Sequence, residues 1–178
     1  MEVLRTPDER FANLPDFDFE PRYADAGGLR IAYLDEGPPD APPVLLLHGE
    51  PTWSFLYRKM LPVLAGAGLR AIAVDLPGFG RSDKPADPDA YTYAAFVAWI
   101  RGLVEQLDLR HTTLFGQDWG GLIGLRVVSE VPERFDCIVA ANTGLPDGLH
   151  KPSDAWYQFR DFSQRVEELP VGFLVKSG

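Results

Sequence analysis

Polar and apolar positions alternate in RIAYLD, Arg30–Asp35, the period of a half-buried strand. Four other segments are short, continuously apolar runs: VLLLHG (Val44–Gly49), AIAVDL (Ala71–Leu76), Thr112–Phe115 and Cys137–Ala141. Such runs suit strands buried on both faces. Helical spacing fills the intervals. Ser54–Ala65 reads as a helix capped by Ser54, with Phe55, Leu56, Met60 and Leu64 near one face; Tyr93–Leu107 and Trp119–Glu130 carry the same period. GPPDAPP (Gly37–Pro43) and PGFGRSDKP (Pro77–Pro85) are built from turn formers. Apolar strands alternating with amphipathic helices predict an α/β fold whose mostly parallel sheet is covered by helices on both faces.

Residues 1–20 predict an irregular arm, charged and broken by prolines. The pattern changes again after Asn142: TGLPDGLHKPSD is loop-like, and Ala155–Val175 predicts one or two short helices carrying Trp156, Tyr157, Phe159 and Phe162. We place a boundary near Gly148, giving a core segment 1–148 and a helical segment 149–178.

Composition narrows the picture modestly. Of 178 residues, 46% are hydrophobic, enough to bury a core, and the net charge is -9. An acidic chain without a basic cluster offers no footprint for nucleic acid or anionic lipid. The one cysteine, Cys137, excludes an internal disulfide, and no zinc-ligand spacing exists. Cys137 reads as a buried strand residue rather than a nucleophile. No signal peptide and no apolar stretch of ~20 residues is visible, so a cytoplasmic protein without membrane contact is expected.

Chemistry concentrates in LFGQDWGGLIG, Leu114–Gly124. Asp118 follows a strand and precedes a helix, at the sheet edge where α/β proteins bind ligands. Gly116, Gly120 and Gly121 flank it in the G-x-Nuc-x-G arrangement of a nucleophile elbow, with Asp where Ser is common. A plainer reading is that Asp118 only caps the helix that follows. The glycines at 116, 120, 121 and 124 do not fit a dinucleotide fingerprint. HGEPTW, His48–Trp53, follows the VLLL strand in the way an oxyanion loop does. The backbone N–H groups of Glu50 and Trp119 are then the candidate oxyanion donors, and His48 shapes the loop rather than acting as a base. Trp53, Phe55 and Trp99 read as packing, His111 as a solvated turn residue, and Arg81–Lys84 as loop architecture.

Taken together, HGEPTWSFLYRKMLPVL, DLPGFGRSDKP, GQDWGG and NTGLP resemble the haloalkane dehalogenases of the α/β-hydrolase superfamily, from about Arg5 to about Phe173. Epoxide hydrolases share DWGG but usually carry HGFP, and fluoroacetate dehalogenases resemble DRGG at the elbow. The resemblance implies an α/β-hydrolase core cut off within a helical cap. It implies hydrolysis of haloalkanes to alcohol and halide through an alkyl ester on Asp118, with Glu50 and Trp119 N–H as oxyanion hole. It implies halide binding by Trp119 and by Trp156 of the cap. The partners implied are a small halogenated alkane and a halide ion, with no metal or other cofactor and a monomeric parent. In that family the base histidine and its orienting carboxylate come late, and none of His48, His111 or His150 occupies such a place. We therefore expect no sustained turnover from this chain, with an epoxide hydrolase or a non-catalytic truncated remnant as the alternative readings, and an exposed apolar edge at 137–141 that promotes association.

Overall fold

Alternation within each apolar run becomes the two faces of one sheet. The computed structural model describes residues 2–145, 149, 151–166 and 169–177. Among these the chain runs through β1 (Val3–Leu4), β2 (Arg22–Ala26), β3 (Leu29–Glu36), β4 (Pro43–Leu47), α1 (Leu61–Gly66), β5 (Arg70–Val74), β6 (Lys84–Pro85), α2 (Tyr93–Gln106), β7 (Thr112–Gln117), α3 (Trp119–Glu130), β8 (Phe135–Ala141), α4 (Asp154–Arg165) and α5 (Val171–Ser177). The described residues form two compact units, Met1–Gly144 and Leu145–Gly178. Gly148, where the sequence pattern puts its boundary, lies outside the described residues.

In the first unit six strands form a sheet in the order β2-β3-β5-β4-β7-β8. β5, β4, β7 and β8 are mutually parallel, while β3 runs antiparallel to β5 and β2 antiparallel to β3. Leu45 and Leu47 of β4, Ile72 and Val74 of β5, and Leu114 of β7 pack with Ile100, Leu103, Ile123 and Val127 of α2 and α3. The alternate residues Val44, Leu46, Ala71 and Ala73 pack on the other face with Tyr57, Leu61 and Phe17. Burial of such a side chain is worth ~1.5–3 kcal/mol, so both faces contribute to holding the sheet flat against its helices.

The structure departs from the sequence pattern in four places. Ser54–Ala65 is not one helix: a 3₁₀ turn spans Ser54–Tyr57 and α1 starts only at Leu61. Pro62 cannot donate to the preceding turn, and the Ser54 N–H is diverted to the Asp75 carboxylate at 2.8 Å, so Ser54 caps nothing. The N-terminal arm is not wholly irregular, because β1 pairs with β6 and Arg5 bonds Asp83. RYADA forms β2, which the pattern missed because its two buried residues, Ala24 and Ala26, are small. Cys137 is exposed, not buried. It lies on β8, which pairs with β7 alone and leaves Asp136–Ala140 exposed.

In the second unit the Ser153 hydroxyl accepts from Trp156 N–H and caps α4, with Asp154 in the first turn and Arg165 in the last. No helix among the described residues is long and apolar enough to cross a membrane.

Candidate active site

Register brings the two chemical segments together. β4 and β7 are adjacent parallel strands, and Leu47 is paired with Gly116. Two residues further along each strand lie Gly49 and Asp118. A Cβ built on Gly49 would fall 2.3 Å from the Asp118 Cβ, so only glycine fits opposite the carboxylate.

Asp118 itself holds the strained backbone of the elbow, at φ 53° and ψ -124°. Non-glycine residues rarely adopt a positive φ, and such strain persists only where the surroundings enforce it. Here the Asp118 N–H donates to Asn142 O at 3.2 Å, and its carbonyl accepts from Gly121 N–H at 3.0 Å and from Thr143 Oγ1 at 2.7 Å. The glycines contribute closeness rather than left-handed turns. Gly120 presses on the end of β4, and Gly121 on Thr143.

The strain turns the carboxylate away from its own helix. It makes no side-chain cap bond, which removes the plain capping role. Oδ1 instead accepts the Glu50 N–H at 3.0 Å. Among the described residues Oδ2 has no hydrogen-bond partner, and neither does the Trp119 backbone N–H at the first turn of α3. Trp119 is 46% exposed. The Glu50 carboxyl is raised above its usual range by burial and by the neighbouring Asp118 charge.

His48 is fully buried and both its ring nitrogens are engaged. Leu76 N–H donates to Nε2 at 3.0 Å, so in the neutral ring Nδ1 carries the proton and donates to Gly49 O at 2.8 Å. Burial depresses its basicity. The loop-shaping role read from the sequence is therefore its role in the fold. His111 precedes β7, at the sheet edge opposite Asp118, and is exposed beside Asp136 at 3.1 Å. His150 lies outside the described residues. Among the described residues no free imidazole faces Asp118.

Beside Glu50 and Trp119 opens a cavity of about 490 Å³, walled by Leu76, Phe79, Tyr91, Tyr93, Phe96 and Ile123. The sequence pattern did not single out these aromatic residues, because a pocket wall and a core read alike. The tyrosine hydroxyls are committed to backbone carbonyls, Tyr91 to Pro85 and Tyr93 to Leu122, each at 2.9 Å. The cavity thus offers rings rather than hydroxyls. Asp75 was also missed. Its buried carboxylate accepts Ser54 N–H and Arg81 N–H, both at 2.8 Å, tying the HGEPTW loop to the PGFGRSDKP loop.

Trp53 and Phe55 stack 5.6 Å apart against the second face of the core, and Trp99 is buried, as packing residues. In the second unit Trp156 is half exposed, edge-to-face with Tyr157 at 5.2 Å and 5.5 Å from the Arg160 guanidinium. No group of three or more His, Cys, Asp or Glu that could hold a metal occurs among the described residues.

Comparison with known proteins places the chain in a fold family. A family model described as alpha/beta hydrolase fold matches residues 42–172. A haloalkane dehalogenase of Psychrobacter cryohalolentis is 56% identical across the whole chain, which covers 60% of that protein. One from Mycolicibacterium paratuberculosis is 49% identical, with 61% of it covered. The chain therefore spans about 60% of the length of these curated relatives. Among solved structures, the tetrameric haloalkane dehalogenase of Paraglaciecola agarilytica superposes with a TM-score of 0.89 at 44% identity, covering 98% of this chain and 60% of that one. An epoxide hydrolase of Vigna radiata superposes at 0.68 with 27% identity, covering 79% of this chain and 44% of the other.

Proposed function

The chain belongs to the α/β-hydrolase fold family, and from that premise we propose that its Asp118 is the nucleophile of a haloalkane dehalogenase. The observation that carries the reading is the turned carboxylate: Oδ1 held by Glu50 N–H, Oδ2 unengaged beside an apolar cavity. Oδ2 attacks an sp³ carbon, a C–O bond forms as the carbon–halogen bond breaks, and halide leaves with the electron pair. A serine at this position would suit carbonyl chemistry instead.

The leaving halide needs donors but no proton. Trp119 supplies an indole N–H next to the nucleophile, and Trp156 is the second donor in this reading. Hydrolysis of the ester then puts negative charge on the Asp118 carbonyl oxygen, where Glu50 and Trp119 N–H accept it. A base must activate the attacking water. His48 is committed on both nitrogens and His111 sits at the opposite sheet edge, so neither serves.

The alternative reading is an epoxide hydrolase, whose cap would supply two tyrosine hydroxyls to grip the epoxide oxygen; among the described residues the two tyrosines at the cavity, Tyr91 and Tyr93, have their hydroxyls bonded to carbonyls.

The test is intact-mass spectrometry after exposure to 1-bromohexane. Wild type gains one hexyl group on the peptide carrying Asp118 and releases one equivalent of bromide; Asp118→Asn gains none. Modification elsewhere, or equal labelling of Asp118→Asn, would refute the assignment.

A further inference from the structure

We propose that Thr52 and His48 are positioning residues that aim the Glu50 N–H at Asp118 by holding the far end of the same peptide group. The peptide linking Gly49 to Glu50 carries Gly49 O at one end and Glu50 N–H at the other. It is trans, unlike the Glu50–Pro51 bond that follows, so the carbonyl and the N–H point in opposite directions. Whatever fixes the carbonyl therefore fixes the aim of the N–H.

Gly49 O receives three donors: His48 Nδ1 at 2.8 Å, Thr52 Oγ1 at 2.8 Å and Thr52 N–H at 3.0 Å. On the opposite side the Glu50 N–H meets Asp118 Oδ1 at 3.0 Å. The His48 contact is locked from behind, because Leu76 N–H occupies Nε2 and leaves the donating proton on Nδ1. The Gly49 N–H is separately tied to Gln117 Oε1 at 3.2 Å, which fixes the preceding peptide too. Donors on a carbonyl also polarise its amide and strengthen the N–H as a donor.

Without these donors the peptide could rotate, and an inward carbonyl would face a carboxylate. That would remove an oxyanion donor and add a repulsive one. Thr52 is the tractable member, being only partly buried, whereas His48 is fully buried. Its hydroxyl is therefore a rate-determining detail of ester breakdown rather than of ester formation. Formation discharges the carboxylate, whereas breakdown builds charge where Glu50 N–H points.

The kinetic half of this inference rests on Asp118 being the ester-forming residue; the aim of the peptide does not. Two readouts on the 178-residue chain keep them apart. The first is the Glu50 amide in ¹⁵N–¹H spectra, with its hydrogen-exchange rate. Thr52→Val should speed exchange at Glu50 about fivefold, the worth of one ordinary hydrogen bond, and move its proton resonance upfield. Thr52→Ser, which keeps the hydroxyl, should restore both. An unchanged Glu50 amide in Thr52→Val, or a serine variant that behaves like valine, overturns the proposal.

The second readout is the hexyl adduct left by 1-bromohexane. Hydroxide adds to the ester carbonyl of Asp118, and hexanol departs with a proton from water. In Thr52→Val the adduct should form at the wild-type rate and decay about fivefold more slowly, again reversed by serine. Formation slowed as much as decay would assign Thr52 a general structural role and overturn the positioning claim. If wild type forms no adduct, the dehalogenase reading falls, and the Glu50 amide still decides whether Thr52 aims the peptide.

Discussion

Gly120→Ala probes the seating of α3 on the sheet. A Cβ at this position would lie 2.1 Å from Leu47 O, 2.4 Å from Leu47 C and 2.5 Å from His48 O. An ordinary carbon–oxygen contact is about 3.3 Å, so the overlap exceeds 1 Å. All three atoms are backbone at the end of a central strand, where no side chain can swing aside. The start of α3 must lift instead, and the bonds Asn142 O and Thr143 Oγ1 make to Asp118 must stretch with it. We predict a loss of about 3 kcal/mol, the upper end for overpacking. For a domain of this size that lowers the melting temperature by roughly 6–12 °C. Thermal unfolding followed by circular dichroism reads it directly. Gly66→Ala is the matched control: the site is the last residue of α1 with open space around it, so alanine should leave stability unchanged or raise it by less than the ~1 kcal/mol seen in a helix interior. A Gly120→Ala protein melting within about 2 °C of wild type would show that the elbow is not held by this contact.

Three further outcomes follow from single groups. Asp83 is held below the ordinary aspartate value of 3.8: burial pushes it up, but hydrogen bonds from Arg5 and Arg30 N–H and their charges outweigh it. A depressed folded value means stability that is present above 3.8 and lost as pH falls through the folded value; Asp83→Asn should therefore show a smaller drop in urea midpoint on acidification, and an equal drop would contradict the pairing. His48, facing Asp75, Asp118 and the Phe79 ring, should be less than half protonated at pH 6.5, where an ordinary histidine is half charged, its neutral form carrying the proton on Nδ1; because the unfolded chain takes up a proton first, stability should fall as pH drops below 6.5, and ring ¹⁵N shifts showing half protonation there would refute the depressed basicity, while a neutral form protonated on Nε2 would refute the tautomer. Val139→Lys, placed on the exposed face of β8, should raise the monomeric fraction in size-exclusion chromatography, and an unchanged profile would clear this edge of any part in association.

The sheet strands were legible wherever burial on both faces forced a continuous apolar run, as in Val44–Leu47 and Ala71–Val74. β2 was not, because two alanines bury too little to write a pattern. The helices α2 and α3 announced themselves by period, whereas Ser54–Ala65 carried the period and lost the helix to a tertiary bond from Asp75 and to Pro62. Cys137 illustrates the converse: apolarity states a preference for burial, and β8 as an edge strand does not satisfy it. At the candidate site, Asp118, Glu50 and Trp119 could be picked out because the elbow and the HGEPTW loop are recognisable motifs. Thr52 and Asp75 were not. Thr52 reads as an ordinary turn residue until its bond to the Gly49 carbonyl is seen, and Asp75 acts through backbone N–H groups of Ser54 and Arg81 in other segments.

The arrangement also explains how the candidate nucleophile and oxyanion loop meet. They follow neighbouring parallel strands, so the pairing of Leu47 with Gly116 delivers Gly49 and Asp118 to the same height, and Asn142 and Thr143 then hold the Asp118 backbone in place. The Asp118 side chain lies against Gly49, where a Cβ would fall 2.3 Å from the Asp118 Cβ, so glycine is required at that position. The donor that meets Asp118 is a main-chain N–H, whose direction is set by the peptide plane and by what holds its carbonyl. The arithmetic of the site is thus local: register sets distance, glycine permits it, and Thr52 with His48 sets angle. On the proposed dehalogenase reading, the first unit brings together Asp118, the Glu50 N–H and the Trp119 indole, whereas the second halide donor, Trp156, belongs to the second unit. Among the described residues no imidazole is free to act as a base, so in this reading forming the ester and clearing it make separate demands on the chain.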